Sequence, residues 1–245
     1  MSKSHLSKEF HLKPFSLVSG GNSSMAIGTD AVLLGTWVNI PPATYNVVDV
    51  GCGCGIITLM LAYRAQQLNI LGVDINPAAI ETAMANATHT QYGHNVSFAC
   101  ADVRLFTYPR VADLVVSNPP FFPAMKGKAS VPLTIQRTMA RQGLFLSSEE
   151  LIVAAKRLTT PRGQLAVIIP QNEAQNFEFL AAMNDFHLLR STEVITVEGK
   201  RPKRCLMQFR KTLAPQTQIR DSITLFSHSG KKTPQYTKLT QDFYM

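Results

Sequence analysis

Residues 47–55 read Val-Val-Asp-Val-Gly-Cys-Gly-Cys-Gly, an apolar run that empties into glycines at every second position. The run predicts a strand buried on both faces. Alternate glycines let the chain turn tightly and leave bare backbone for a ligand to approach. Residues 56–67 then repeat apolar side chains at helical spacing, so the loop opens at a helix N-terminus, where unpaired N–H groups collect. A strand, a glycine loop and a helix in that order commit the chain to βα units. They also put a nucleotide-like ligand at the carboxyl end of the first strand, the crevice of an open α/β sheet.

The rest of the chain follows the same rhythm. Short β-branched runs at 46–50, 70–74, 96–100, 113–117 and 164–169 alternate with helical patterns, and strand-like stretches recur near 188–197 and 204–211. Together they predict a mostly parallel sheet of about seven strands with helices on both faces. Pro77 suits the first turn of a helix over 78–88, and Ser147 followed by Glu149 and Glu150 suits the capped start of another ending at Leu158. A further helix is expected over 173–183. The first 45 residues fall outside this rhythm, apart from a short helix over 28–38 entered through Thr29 and Asp30. No Pro-, Gly- or Ser-rich linker divides the chain. The expected organisation is one domain over 1–245, with an N-terminal extension (1–45), a Rossmann-like core (46–211) and a basic C-terminal segment (212–245).

Charge is unevenly spread. Residues 199–245 hold ten Lys or Arg against two Asp, while residues 1–198 hold fourteen of each sign, so the whole net charge of +8 sits in the last 47 residues. A polyanionic partner suits such a segment; a solvated basic face is the plainer alternative. No stretch reaches the ~18 apolar residues needed to span a bilayer, and the first residues lack the apolar core of a signal peptide. Four cysteines, none in a Cys-x-x-Cys pair, and six histidines without metal-ligand spacing predict no disulfide framework and no metal. A soluble cytoplasmic protein without membrane contact follows from this reading; a monomer is the expectation, and no sequence feature fixes it.

Spacing narrows the ligand. A dinucleotide fingerprint would need a third glycine at position 56, which is Ile56. The pattern Asp49, Gly51, Gly53, Gly55 instead resembles the first motif of class I S-adenosylmethionine-dependent methyltransferases. An acidic Asp49 is tolerable beside a sulfonium-bearing cofactor where a diphosphate would be repelled. Asp74 ends the second strand 23 residues after Gly51, where its carboxylate can accept from two ribose hydroxyls or cap the next helix. Asp102, just past the third strand, resembles that family's adenine-contacting acid; a turn Asp is the plainer alternative. Cys52 and Cys54 read as small loop residues.

After the fourth strand comes Asn118-Pro119-Pro120-Phe121. Consecutive prolines withhold N–H donors and leave carbonyls presented. The Asn118 amide oxygen and the Pro119 carbonyl can then converge on one amino group. A conjugated amino nitrogen is a poor nucleophile because its lone pair is delocalised. Two acceptors gripping its hydrogens favour a pyramidal nitrogen and stabilise the positive charge that develops during transfer. No general base is needed. Phe121 can stack on a planar base turned out of its helix or loop.

This tetrapeptide resembles the N-P-P-F/Y signature of amino-directed methyltransferases acting on adenine N6, guanine N2 or protein glutamine. With residues 28–37 and 236–244, nearly the whole chain looks like the bacterial valine-tRNA adenine-N6 methyltransferase family, whose members modify the adenine 3′ of the anticodon. The resemblance implies S-adenosylmethionine as cofactor and the anticodon region of tRNA as partner. It assigns Thr29, Asp30 and Asn118 to the cofactor pocket alongside Asp49, Gly51, Gly53, Gly55, Asp74 and Asp102, and makes Asn118, Pro119 and Phe121 catalytic. The family often has Tyr where Phe121 stands, so the stacking face is kept and a hydroxyl is lost. Lys200, Arg201, Lys203 and Arg204 form the densest basic cluster and are the expected RNA contacts, with Arg137 and Arg141 as lesser candidates. The rival readings are guanine-N2 methylation of ribosomal RNA, a protein-glutamine methyltransferase and a non-catalytic RNA-binding module.

Overall fold

The computed structural model describes residues 8–19, 27–108, 111–119, 146–215 and 217–244. Strand β1 (Lys8–His11) and strand β2 (Ser16–Ser19) form an antiparallel hairpin. Helix α1 (Thr29–Trp37) leads into β3 (Asn46–Val50), α2 (Ile56–Arg64), β4 (Asn69–Asp74), α3 (Pro77–Thr88), β5 (Val96–Cys100) and β6 (Ala112–Ser117). Beyond them come α4 (Ser148–Leu158), β7 (Thr159–Pro170), α5 (Ala174–Ala182), β8 (Phe186–Val197), β9 (Arg204–Lys211), β10 (Ile219–Phe226) and α6 (Pro234–Thr240).

Eight strands form one sheet in the order β10-β8-β9-β7-β6-β3-β4-β5. Only β9 runs against its neighbours. Successive residues of the central strands face opposite sides, and both sides are apolar: Val47, Ile70, Leu114 and Val116 belong to one core, Val48, Leu71, Val73 and Val115 to the other. Helices α1 and α2 cover the first face and α4 and α5 the second. Among the described residues no helix is long and apolar enough to cross a membrane.

The mostly parallel, doubly covered α/β sheet is as expected from sequence, with one strand more than the seven anticipated. The addition is β10, in a segment that composition marked only as basic. It is an edge strand whose residues 219–222 are exposed and whose buried positions reduce to Ile223 and Leu225, too few to give an alternating signal. The hairpin β1–β2 was missed because each strand is only four residues long, too short for the alternation of β2 to stand out. Helix α2 stops three residues short of expectation, because Ala65 turns extended.

Both terminal segments are built into the same core. The Phe15 and Tyr92 rings meet edge-on at 6.4 Å, Tyr92 and Tyr63 at 5.0 Å, and Tyr63 and Phe243 at 5.3 Å, so the hairpin and the C-terminus both close on α2. The Lys13 backbone N–H donates to the Phe243 carbonyl at 2.9 Å, and the Lys13 ammonium donates to the Gln241 carbonyl at 2.7 Å. Phe243 is 1% exposed. Phe243→Ala is therefore expected to lower the unfolding free energy by about 3–4 kcal/mol. Urea denaturation measures this; a loss below ~1 kcal/mol would show that the tail lies outside the cooperative unit.

Candidate active site

Strand register sets the site. Val50 pairs with Val73 on one side and with Ser117 on the other, so Asp74, the last residue of β4, stands level with Gly51 and Asn118, the first residues past β3 and β6. The Ser117 hydroxyl donates to the Val50 carbonyl at 2.8 Å, which fixes β3 against β6 at the point where Asn118 begins. Asp74 pairs with Cys100, and the Ala101 N–H donates to the Asp74 carbonyl at 2.9 Å, bringing Asp102 to the same edge.

The glycine loop has the conformation its residues allow. Gly51, Gly53 and Gly55 all have positive φ, at 70°, 55° and 84°. A Cβ at Gly51 or Gly53 would meet nothing within 4 Å, so the surface there is bare backbone facing open space. The Gly51 and Cys52 N–H groups donate to the Val73 carbonyl at 2.8 and 3.2 Å, and the Gly53 N–H donates to Asp74 Oδ2 at 2.9 Å. Asp74 Oδ1 accepts from the Asn76 N–H at 2.9 Å. Asp74 thus fastens the loop to the end of β4 and starts the turn into α3, and each carboxylate oxygen keeps a lone pair for a further donor.

Asp49 is fully buried beneath the loop. Its Oδ2 accepts from the Thr58 hydroxyl at 2.6 Å and the Thr58 N–H at 3.1 Å, while Oδ1 is buried without a hydrogen-bond partner. Burial pushes its carboxyl up from 3.8 to about 7, against the lowering effect of Thr58 and with a small further push from Asp74. Cys52 and Cys54 are buried and their thiols are pushed up by burial, Cys54 to about 11, so both stay protonated packing groups.

Two further residues hold this edge together, and neither was singled out from sequence. Asn86 of α3 is 3% exposed; its amide accepts from the Val18 N–H at 2.9 Å and donates to the carbonyls of Val18 at 3.0 Å and Cys54 at 2.9 Å. One side chain therefore braces the N-terminal hairpin against the glycine loop. A polar residue on the inner face of a helix was the only signal. Arg104 grips both oxygens of Asp102, through Nε at 2.8 and 2.9 Å and Nη2 at 2.5 Å, and reaches Glu150 of α4 at 3.5 Å. The Arg104 guanidinium holds the Asp102 carboxyl below its ordinary range. Asp102 thus faces an arginine, a pairing the sequence reading did not weigh.

At the start of α1, Thr29 is exposed and Asp30 forms an ion pair with Arg204 Nε at 2.7 Å. Arg204, expected among the RNA contacts, is thereby engaged in tying α1 to β9. Lys200, Arg201 and Lys203 are exposed on the β8–β9 turn. Asn118 is half-buried and Pro119 buried. Pro120, Phe121, Arg137 and Arg141 lie outside the described residues.

A glycine loop against open space and a carboxylate at the next strand end thus stand at the sheet edge where Asn118 and Pro119 follow β6. Comparison with known proteins shows the family. Residues 23–197 match the family described as "Methyltransferase small domain". A "tRNA1(Val) (adenine(37)-N6)-methyltransferase" of Porphyromonas gingivalis is 36% identical, over 96% of this chain and 94% of its own. The chain belongs to this methyltransferase family. A protein of the same name from Aliivibrio fischeri is 30% identical over 100% of this chain and 99% of its own. In fold, the chain is similar to the crystal structure of a predicted O-methyltransferase from Agrobacterium tumefaciens, with a TM-score of 0.65 at 21% identity, covering 87% of this chain and 96% of that one.

The residues present fit S-adenosylmethionine, the methyl donor of such enzymes. A cationic ligand suits the unpartnered buried Asp49 Oδ1, and hydroxyls suit the remaining lone pairs of Asp74. The open flank of Gly51 and Gly53 admits a ligand against backbone.

Two predictions follow from the loop's supports. Because the folded state raises the Asp49 carboxyl from 3.8 to about 7, it holds a proton that the unfolded chain has released, so this contribution to ligand-free stability is lost as pH rises between those values. Asp49→Asn should flatten that part of the stability–pH curve in urea unfolding; identical slopes in the two proteins would remove Asp49 as its cause. Asn86→Ala leaves the buried Cys54 carbonyl and both Val18 backbone groups unpaired, and should cost about 2–3 kcal/mol of stability. Calorimetry should also show weaker cofactor binding; a variant with wild-type cofactor affinity would mean that the brace does not shape the loop.

Proposed function

We propose that this protein transfers a methyl group from S-adenosylmethionine to N6 of an adenine in tRNA, the adenine at position 37 of tRNA1(Val). The observation that carries the reading is the pairing of Val50 with both Val73 and Ser117, which brings Asn118 level with the glycine loop. Near-full-length likeness to methyltransferases of that name supports the choice of base and RNA.

In this reading the Gly51–Gly55 loop, Asp49, Asp74 and Asp102 hold the cofactor, with Thr29 and Asp30 closing the pocket and Asn118 bordering both ligands. Asp102 serves through lone pairs that Arg104 leaves available. The cofactor supplies an electrophilic methyl on a sulfonium. Asn118 accepts one hydrogen of the adenine amino group and the Pro119 carbonyl the other, which turns the nitrogen lone pair toward the methyl. Both acceptors strengthen their hold as the nitrogen becomes positive, so they favour the transition state over the bound base. The surplus proton then leaves to solvent. Phe121 stacks on the flipped adenine, and Lys200, Arg201 and Lys203 meet RNA phosphates. The enzyme works as a cytoplasmic monomer without a metal.

Asn118→Ala should reduce turnover by at least ~100-fold while cofactor affinity stays within a few-fold. Transfer of labelled methyl to total tRNA, followed by nucleoside mass spectrometry, tests the whole reading. N6-methyladenosine next to the valine anticodon is the expected product. N2-methylguanosine, or a near-normal rate in the Asn118 variant, would contradict it.

A further inference from the structure

We propose that the turn between β10 and α6 is a second element for binding RNA phosphates, forming one basic rim with the β8–β9 turn. The inference rests on the reading of the substrate as RNA. Strand β8 runs parallel to β7 because each is antiparallel to β9, and β10 runs parallel to β8. Both turns therefore leave the sheet at the edge that carries the glycine loop and Asn118. They adjoin one another: Phe226 pairs with Val197, the Glu198 N–H donates to the Phe226 carbonyl at 2.9 Å, and a Cβ at Gly199 would lie 3.4 Å from the His228 ring.

The second turn is built to hold its shape. The Ser227 N–H donates to the Lys231 carbonyl at 2.9 Å, and the Gly230 N–H to the Ser227 carbonyl at 3.0 Å, with Gly230 at φ 76°. The Lys232 ammonium sits 4.8 Å from the Tyr244 ring centroid, so a terminal aromatic steers it. Lys200, Arg201, Lys203, Lys231 and Lys232 are all exposed, against Glu198 as the one acidic residue of the two turns. No large apolar side chain is exposed in either turn, which favours a polyanion over a lipid surface, since interfacial binding needs apolar anchors.

Position fixes what part of the RNA is met. In the order β10-β8-β9-β7-β6, β8 lies three strands and β10 four strands from the β6 end that carries Asn118. At the usual strand spacing that is roughly 14 and 19 Å. The rim is thus too far from Asn118 for the target base and suits backbone flanking it. Arg204, held by Asp30, takes no part.

The test is fluorescence-anisotropy titration of the full-length protein with a valine-tRNA transcript across a range of salt concentrations. Lys231→Ala/Lys232→Ala should weaken binding about tenfold at low salt and lower the slope of log affinity against log salt by about 2. Lys231→Arg/Lys232→Arg should retain both, and cofactor affinity should stay within twofold in each variant. An unchanged slope in the alanine variant overturns the inference. So does an equal loss in the arginine variant, which would trace the effect to packing rather than charge. If alanines at Lys200, Arg201 and Lys203 lower the slope while those at Lys231 and Lys232 do not, the inference fails and the RNA reading stands. If the wild-type protein shows no salt-dependent tRNA affinity and methylates no tRNA, the RNA reading falls and takes the inference with it.

Discussion

The alignment of three strand ends, β4, β3 and β6, is the constraint on which the rest of the site depends. Val73, Val50 and Ser117 stand in register, so Asp74 at the end of β4 lies level with Gly51 and Asn118 just past β3 and β6. Because side chains alternate along a strand, a slip of one residue in either pairing would turn Asp49 toward the opposite core and lift Asn118 away from the loop. The register is guarded by apolar burial on both faces of the sheet and by the Ser117–Val50 hydrogen bond.

The glycine loop depends on supports of a different kind. Three residues at positive φ give it a shape but little stiffness, since glycine loses more conformational freedom on ordering than any other residue. Stiffness comes from polar groups beneath and beside it: Asp74 on the Gly53 N–H, the Val73 carbonyl on Gly51 and Cys52, and Asn86 on the Cys54 carbonyl. Asn86 also binds Val18, so the N-terminal hairpin belongs to the architecture of the crevice. At the other end of the chain, Phe243 and Tyr244 extend the same stitching to the β10–α6 region. The two segments outside the parallel-sheet rhythm thus complete the enzyme edge.

What sequence made legible was whatever depends on short-range periodicity or on a fixed spacing of a few residues. The strands 46–50, buried, and 96–100, half-exposed, were bounded correctly because polar or glycine residues lie at or beside their ends. The glycine spacing, Asp74 at a strand end and the Asn-Pro turn were likewise local patterns. Features that depend on partners distant in the chain were not legible. The Asp30–Arg204 pair spans 174 positions, and nothing in either residue's neighbourhood announces it. Arg104 lies two residues from Asp102, yet its pairing depends on a loop conformation that propensity does not specify. Strand β10 escaped because an edge strand with an exposed half gives no alternating signal.

Strand register, in the proposed mechanism, delivers a pair of oxygen acceptors to the methyl donor's side of the crevice. That delivery is tested most directly by the crystal structure of the protein with S-adenosylhomocysteine and an anticodon stem-loop of valine tRNA. The expected result is the cofactor against Gly51 and Gly53, and an extruded adenine whose N6 lies within hydrogen-bond reach, about 3 Å, of both Asn118 Oδ1 and the Pro119 carbonyl. A cofactor seated at another strand end, or an adenine amino group held by other residues with Asn118 turned away, would contradict it.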